Sequence, residues 1–141
     1  MVESRAVFTD DELAYLQSQR LGRLATVDAD GAPQNNPVGL HVNTNLGTID
    51  VMGFNLSSSR KFHNVLSNPH VAMVVDDLVS VDPWVVRGIE VRGDAEAVAD
   101  SDPPVERMGR EVIRIHPRRV ISWGISPDRT GMKSRAVGPT S

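Results

Sequence analysis

Two adjacent cations, Arg60 and Lys61, follow directly on the run Ser57-Ser58-Ser59. That run closes a strand-like segment, Thr48–Met52, by way of Gly53-Phe54-Asn55-Leu56. A strand that turns through hydroxyls into a helix start presents unbonded backbone N–H groups and the positive end of the helix dipole. A guanidinium and an ammonium at that point make a site for a phosphate. Lysine is scarce here: the chain has two, and Lys61 is one of them. The chemistry these residues offer is the holding of a phosphorylated cofactor.

No comparable grouping suggests acid–base or metal chemistry, and no residue stands out as catalytic. His41, His63, His70 and His116 are dispersed, with no i, i+4 pair and no companion cysteine, so they read as structural and the expected metal set is none. Gly131-Met132-Lys133-Ser134 lacks the Gly-Lys-Ser/Thr step and the following helix of a nucleotide-binding loop. Arg118, Arg119, Arg129, Lys133 and Arg135 crowd the C-terminal region, as a solvated basic tail or as contacts for an anionic ligand.

The elements that must position the phosphate site are legible as a β-rich pattern. Thr9 with Glu12 fits a capping box, and Phe8 with Leu13 its hydrophobic staple, which predicts a helix over about 9–19. Leu21–Val27 breaks at Asp28-Ala29-Asp30-Gly31, which is hairpin chemistry, and Gln34–Val42 follows. Pro37 cannot donate to a ladder, so it belongs at an edge or a bulge. Phe62, Val65 and Leu66 are read as the apolar face of the helix after the cations, which ends before Pro69. His70–Val75 reads as a buried strand, Asp76–Pro83 as an acidic loop, and Trp84–Ala99 as one long strand bent at Gly88 and Gly93. Its Ile89, Val91, Gly93, Ala95, Ala97 parity suits a tight barrel interior or a close partner surface. Asp100–Pro104 is a connector, Val112–Ile115 and Val120–Ile125 are two closing strands, and 126–141 is a loose tail.

Six to seven antiparallel strands with two short helices predict a mainly β chain forming one small closed barrel over about 20–125. At 141 residues it is expected to be a single domain. A net charge of −3 argues against a general nucleic-acid binder. No run reaches the roughly 18 apolar residues of a membrane span, and no charged-then-apolar leader opens the sequence. With cysteine absent, the expected compartment is the cytoplasm.

The segment Asn55-Leu56…Ser59-Arg60-Lys61-Phe62-His63…Asn68-Pro69-His70-Val71-Ala72 resembles the flavin-phosphate motif of the pyridoxamine 5′-phosphate oxidase-like superfamily. Leu21–Thr26 with Asp30–Pro33 resembles its opening hairpin, Arg87–Gly93 its long strand, and Arg114–Gly124 its closing pair. The set is most similar to the short actinobacterial members associated with the deazaflavin coenzyme F420. The resemblance implies a split β-barrel homodimer with the cofactor at the subunit interface. It implies that Ser59, Arg60 and Lys61 hold the phosphate with Asn55 beside them, and that Asn36, Pro37 and Val38 lie beside the tricyclic ring. Asn36 stands where pyridoxamine-phosphate oxidases carry arginine, and their longer C-terminal substrate segment is missing, so vitamin B6 oxidation is not the expected activity. The expected function is F420-dependent hydride transfer to or from a small organic molecule. The alternatives are an FMN-dependent oxidoreductase of the same fold and a non-enzymatic carrier of F420 or flavin.

Overall fold

A computed structural model describes residues 7–101, 109–127 and 131–138. Helix α1, Asp10–Ser18, starts at the expected capping box. The Thr9 hydroxyl accepts from the Glu12 N–H at 3.1 Å, and the Glu12 carboxylate accepts from the Thr9 N–H at 2.9 Å. Strands β1 (Leu21–Val27), β2 (Pro33–Asn43) and β3 (Thr48–Val51) follow. A one-turn 3₁₀ helix, Leu56–Ser58, leads into α2, Arg60–Ser67. The chain continues through β4 (His70–Ser80), β5 (Val85–Val98), β6 (Val112–Trp123) and β7 (Met132–Ala136).

All pairings are antiparallel, in the order β3-β2-β1-β4-β5-β6-β7, and β3 also pairs with β6. Six strands therefore close into a barrel, and β7 extends β6 beyond the closure. Alternation does the sorting. Leu24 and Thr26 on β1, Met73 and Val75 on β4, and Ile89 and Val91 on β5 point inward and are buried. The β1–β2 turn is fixed by Asp28, whose carboxylate accepts from the N–H groups of Asp30 and Ala32 at 2.9 Å each. Gly31 takes the positive φ of 86° that this turn requires.

The long β5 strand has the expected inward parity, and its irregularity lies at Gly93. There Arg92 faces Arg119 while Gly93 faces Pro117, so Arg118 is the extra residue of a bulge. A Cβ on Gly93 would lie 2.2 Å from the His116 carbonyl oxygen, so the close approach of β5 to β6 demands glycine.

Four expectations are corrected. The acidic loop begins later than Asp76, because β4 runs to Ser80 and its carboxylates are paired: Asp76 with Arg23, and Asp77 with Arg87 at 2.8 Å. The two closing strands are one, β6, because Pro117 sits where a missing N–H costs little. It lies at the bulge and between the stretches of β6 that pair with β3 (Ile113–Ile115) and with β7 (Arg119–Trp123). The C-terminal tail contains strand β7, anchored by Arg135 on the buried Glu12 at 2.6 Å. Leu66 is 65% exposed, and the polar Asn64 is buried instead. The connector expected over 100–104 extends into residues outside those described, as does Arg129.

Candidate functional site

Helix α2 is built to leave its first turn open. The Ser59 side chain caps it, accepting from the Phe62 N–H at 3.3 Å and donating to the Leu56 carbonyl at 2.6 Å. Asn55 enters the preceding turn in the left-handed region, at φ 52°, which asparagine tolerates better than most residues. Its carbonyl accepts from the Ser58 N–H at 3.0 Å. The Ser57 hydroxyl donates to the Glu111 carboxylate at 2.7 Å, a bond that holds this carboxyl below its ordinary value. Two of the three serine hydroxyls are thus engaged within the protein. What remains at the helix start is the backbone N–H groups of Arg60 and Lys61 and their two side chains.

Those side chains differ from most of the described cations. Arg23, Arg87, Arg92, Arg110, Arg114, Arg118 and Arg135 each pair with a carboxylate. Among the described residues, no ion pair or side-chain hydrogen bond engages Arg60 or Lys61. An unpaired guanidinium and ammonium beside two free helix N–H groups form a donor set that fits a phosphate.

The residues expected beside the ring, Asn36, Pro37 and Val38, lie on β2. Only Leu40–Asn43 of that strand pair with β3, so the half from Pro33 to Gly39 has an open outer edge. Pro37 sits within this open half, as an edge position should. Asn36 and Pro37 are exposed, whereas Val38 turns its side chain into the core at 6% exposure and offers only its backbone.

Buried Asn64, one turn after Lys61 on the same helix face, joins the two groups. Its side-chain amide donates to the Thr26 hydroxyl at 3.0 Å and to the Gln34 amide oxygen at 2.9 Å. This tie holds α2 against β1 and the open half of β2. Sequence reasoning missed Asn64, Thr26 and Gln34. The available signal was a polar residue among the apolar positions Phe62 and Val65. No hydrogen bond among the described residues links Asn36–Val38 directly to Asn55–Lys61.

The basic C-terminal group is mostly engaged. Arg118 pairs with Asp94, which depresses that carboxyl, and Arg135 pairs with Glu12. For Glu12, burial acts upward, yet Arg135 and Thr9 together hold it below its ordinary value. Arg119 donates to the Ser134 hydroxyl at 2.9 Å, and Lys133 is exposed without an acidic partner among the described residues. Near α1, buried Tyr15 donates to Asp77 at 2.8 Å and lies under the Arg87 guanidinium, 4.9 Å from its ring centre. Burial and Asp77 push this phenol upward, so it stays protonated and serves as a packing bond. No three His, Asp or Glu side chains among the described residues are placed to hold a metal. No helix among them is long and apolar enough to cross a membrane.

The chain as a whole has known relatives. A family model described as pyridoxamine 5′-phosphate oxidase matches residues 8–137. A 5a,11a-dehydrotetracycline/5a,11a-dehydrooxytetracycline reductase of Streptomyces rimosus subsp. rimosus is 45% identical over 136 residues, covering 92% of this chain and 93% of that protein. Among solved structures, a conserved hypothetical protein of Mycobacterium tuberculosis is similar with a TM-score of 0.67 and 25% identity over 99% of each chain. An F420 reductase is similar with a TM-score of 0.56 and 27% identity, over 75% of this chain and 93% of its own. The six-stranded barrel, the match from Phe8 to Val137 and the kinship with a reductase over nearly the full length lead to one conclusion: this chain is an oxidoreductase that belongs to the pyridoxamine 5′-phosphate oxidase family.

Proposed function

We propose that the protein is a deazaflavin-dependent reductase that uses coenzyme F420 to transfer a hydride to or from a small organic molecule. The observation that carries this reading is the pair Arg60 and Lys61 at the start of α2, without a partner among the described residues, while most other described cations have a carboxylate partner. Ser59 fixes the helix start as its cap, Arg60 and Lys61 hold the cofactor phosphate, and Asn36 and Pro37 border the ring on the open edge of β2. When bound, the deazaflavin supplies the hydride chemistry, and the protein's part is to bind, orient and shield it. The likeness to an F420 reductase and the 45% identity with a reductase support the choice of cofactor and reaction class.

The working form is a homodimer with the cofactor between subunits. Phe54 and Leu66, which flank the phosphate residues, are 73% and 65% exposed in the single chain, a surface that a second copy would cover. The cytoplasm is the compartment that the cysteine-free composition supports. Light scattering at micromolar concentration should give twice the 15.4 kDa chain mass. An obligate interface of about 2,000 Å² or more would not dissociate at that concentration.

The test of function is reoxidation of reduced F420, followed at its visible absorbance, with conjugated enones as acceptors. Turnover that depends on both F420 and acceptor supports the reading. Yellow protein as purified, with tight FMN binding and indifference to F420, would replace it with an FMN enzyme. Firm F420 binding with no acceptor reduced would replace it with a carrier.

A further inference from the structure

Pro37, one of the seven residues assigned to the cofactor, lines a cleft that contains none of the α2 residues. It has a volume of about 420 Å³ and lies where the α1–β1 junction meets β2 and β4. Leu21, Pro37 and Val74 line it together with Arg20 and the Arg23–Asp76 ion pair.

Its position along the sheet is set by the register. Asn64 ties α2 to Thr26 and Gln34, which face each other across β1 and β2. Pro37 faces Arg23, three residues further along, and Leu21 lies beyond that. At about 3.3 Å per residue, the cleft begins about 10 Å past the α2 tie. A cofactor anchored by its phosphate at α2, with its ring beside Asn36 and Pro37, would present the far edge of the ring to this cleft.

The lining chooses the ligand. Leu21 is 63% exposed, an apolar side chain left uncovered at the rim. Arg23 is neutralised by Asp76, which leaves Arg20 as the unbalanced charge. Among the described residues Arg20 has no carboxylate partner.

We infer that this cleft is the acceptor site and that it takes an organic anion of mixed polar and apolar surface, with Leu21, Pro37 and Val74 against its apolar part, Ser18 and Gln19 near its polar part and Arg20 reading its charge. The inference rests on the proposed cofactor site for its role in the reaction, and on the cleft itself for the binding preference.

The test uses the full chain, as purified and again after saturation with F420. Equilibrium dialysis compares anthraquinone-2-carboxylate with its neutral carboxamide. The carboxylate should bind about tenfold more tightly, the size of effect expected for a hydrogen bond to a charged group. Arg20→Gln should erase the preference without changing carboxamide affinity, and Arg20→Lys should retain most of it. Leu21→Asp should weaken both probes. Both positions are exposed, so these variants leave the core untouched. Equal binding of the two probes, a preference that survives Arg20→Gln, or indifference to Leu21→Asp would each overturn the inference. A protein that shows the preference but does not bind F420 would retain the anion cleft and lose the cofactor reading. One that binds F420 but shows no preference would lose only the inference drawn here.

Discussion

The barrel seam and the start of α2 both concentrate charge, and they use it in opposite ways. At the seam, Asp50 of β3 is 4% exposed and accepts two bonds from Arg114 of β6, at 3.1 and 3.2 Å. Thr48 and Asn43 add bonds to the same carboxylate at 2.9 and 3.3 Å. Every charge there is answered within the protein, and the result is closure of the sheet. At α2, two cations and two backbone N–H groups have no partner among the described residues. Charge satisfied internally holds the structure, and charge left over is available to a ligand.

The largest effect should come from breaking the satisfied region. Asp50→Ala leaves the Arg114 guanidinium without its partner at the seam, and such removals cost about 3–5 kcal/mol. Chemical denaturation should show the loss, while F420 affinity under native conditions stays within twofold. Loss of affinity without loss of stability would contradict the division of roles.

Asn64→Ala sits on the border between the two regions. It strands the Thr26 hydroxyl and the Gln34 amide, at a cost of about 1–3 kcal/mol in stability. Because Asn64 also holds α2 in place, F420 binding should weaken as well. Asn64→Gln or Asn64→Ala variants that lose stability yet bind F420 with unchanged affinity would remove Asn64 from the site.

A smaller effect should appear at the α1–β7 contact. The Glu12 carboxyl is held below its ordinary 4.5 in the folded protein. Its contribution to stability is therefore present above pH 4.5 and is lost as the pH falls through the depressed folded value. Glu12→Gln should be less stable than the parent by about 1 kcal/mol at pH 7. The difference should shrink below pH 4.5, as read by denaturation midpoints across that range. A difference independent of pH would show that the charge does not matter there.

The smallest effect is salt. Exposed contacts between the α2 cations and a phosphate should weaken as ionic strength rises, since screening acts over about 10 Å at 0.1 M. The Asp50–Arg114 seam, mostly buried, should respond little.

Local chemistry carried most of the fold into the sequence. The capping box of α1, the Asp28–Gly31 turn and the β5 parity all depend on neighbours in the chain, so they could be read from it. The strand at Asp76–Ser80 could not, because its carboxylates are made tolerable by Arg23 and Arg87, which reach them only across the sheet. Strand β7 was hidden for the same reason, since Arg135 meets Glu12 from 123 positions away. At the site, the residues proposed for the phosphate form a contiguous run, Ser59-Arg60-Lys61, that is visible in the sequence. Asn64 was not, because its partners Thr26 and Gln34 come from other strands. Nor could the sequence show which cations are already paired, and that distinction separates Arg60 and Lys61 from Arg118 and Arg135.

The most direct test is calorimetric titration of F420 into the parent protein, into Arg60→Ala/Lys61→Ala and into Arg92→Ala. Arg92 is a control, already paired with Glu90 at 2.9 Å on the exposed face of β5. The account predicts that the double variant loses about 3 kcal/mol or more of binding, as two charged contacts would give, with an unchanged melting temperature, and that Arg92→Ala binds like the parent. Equal F420 affinity in all three proteins would contradict it.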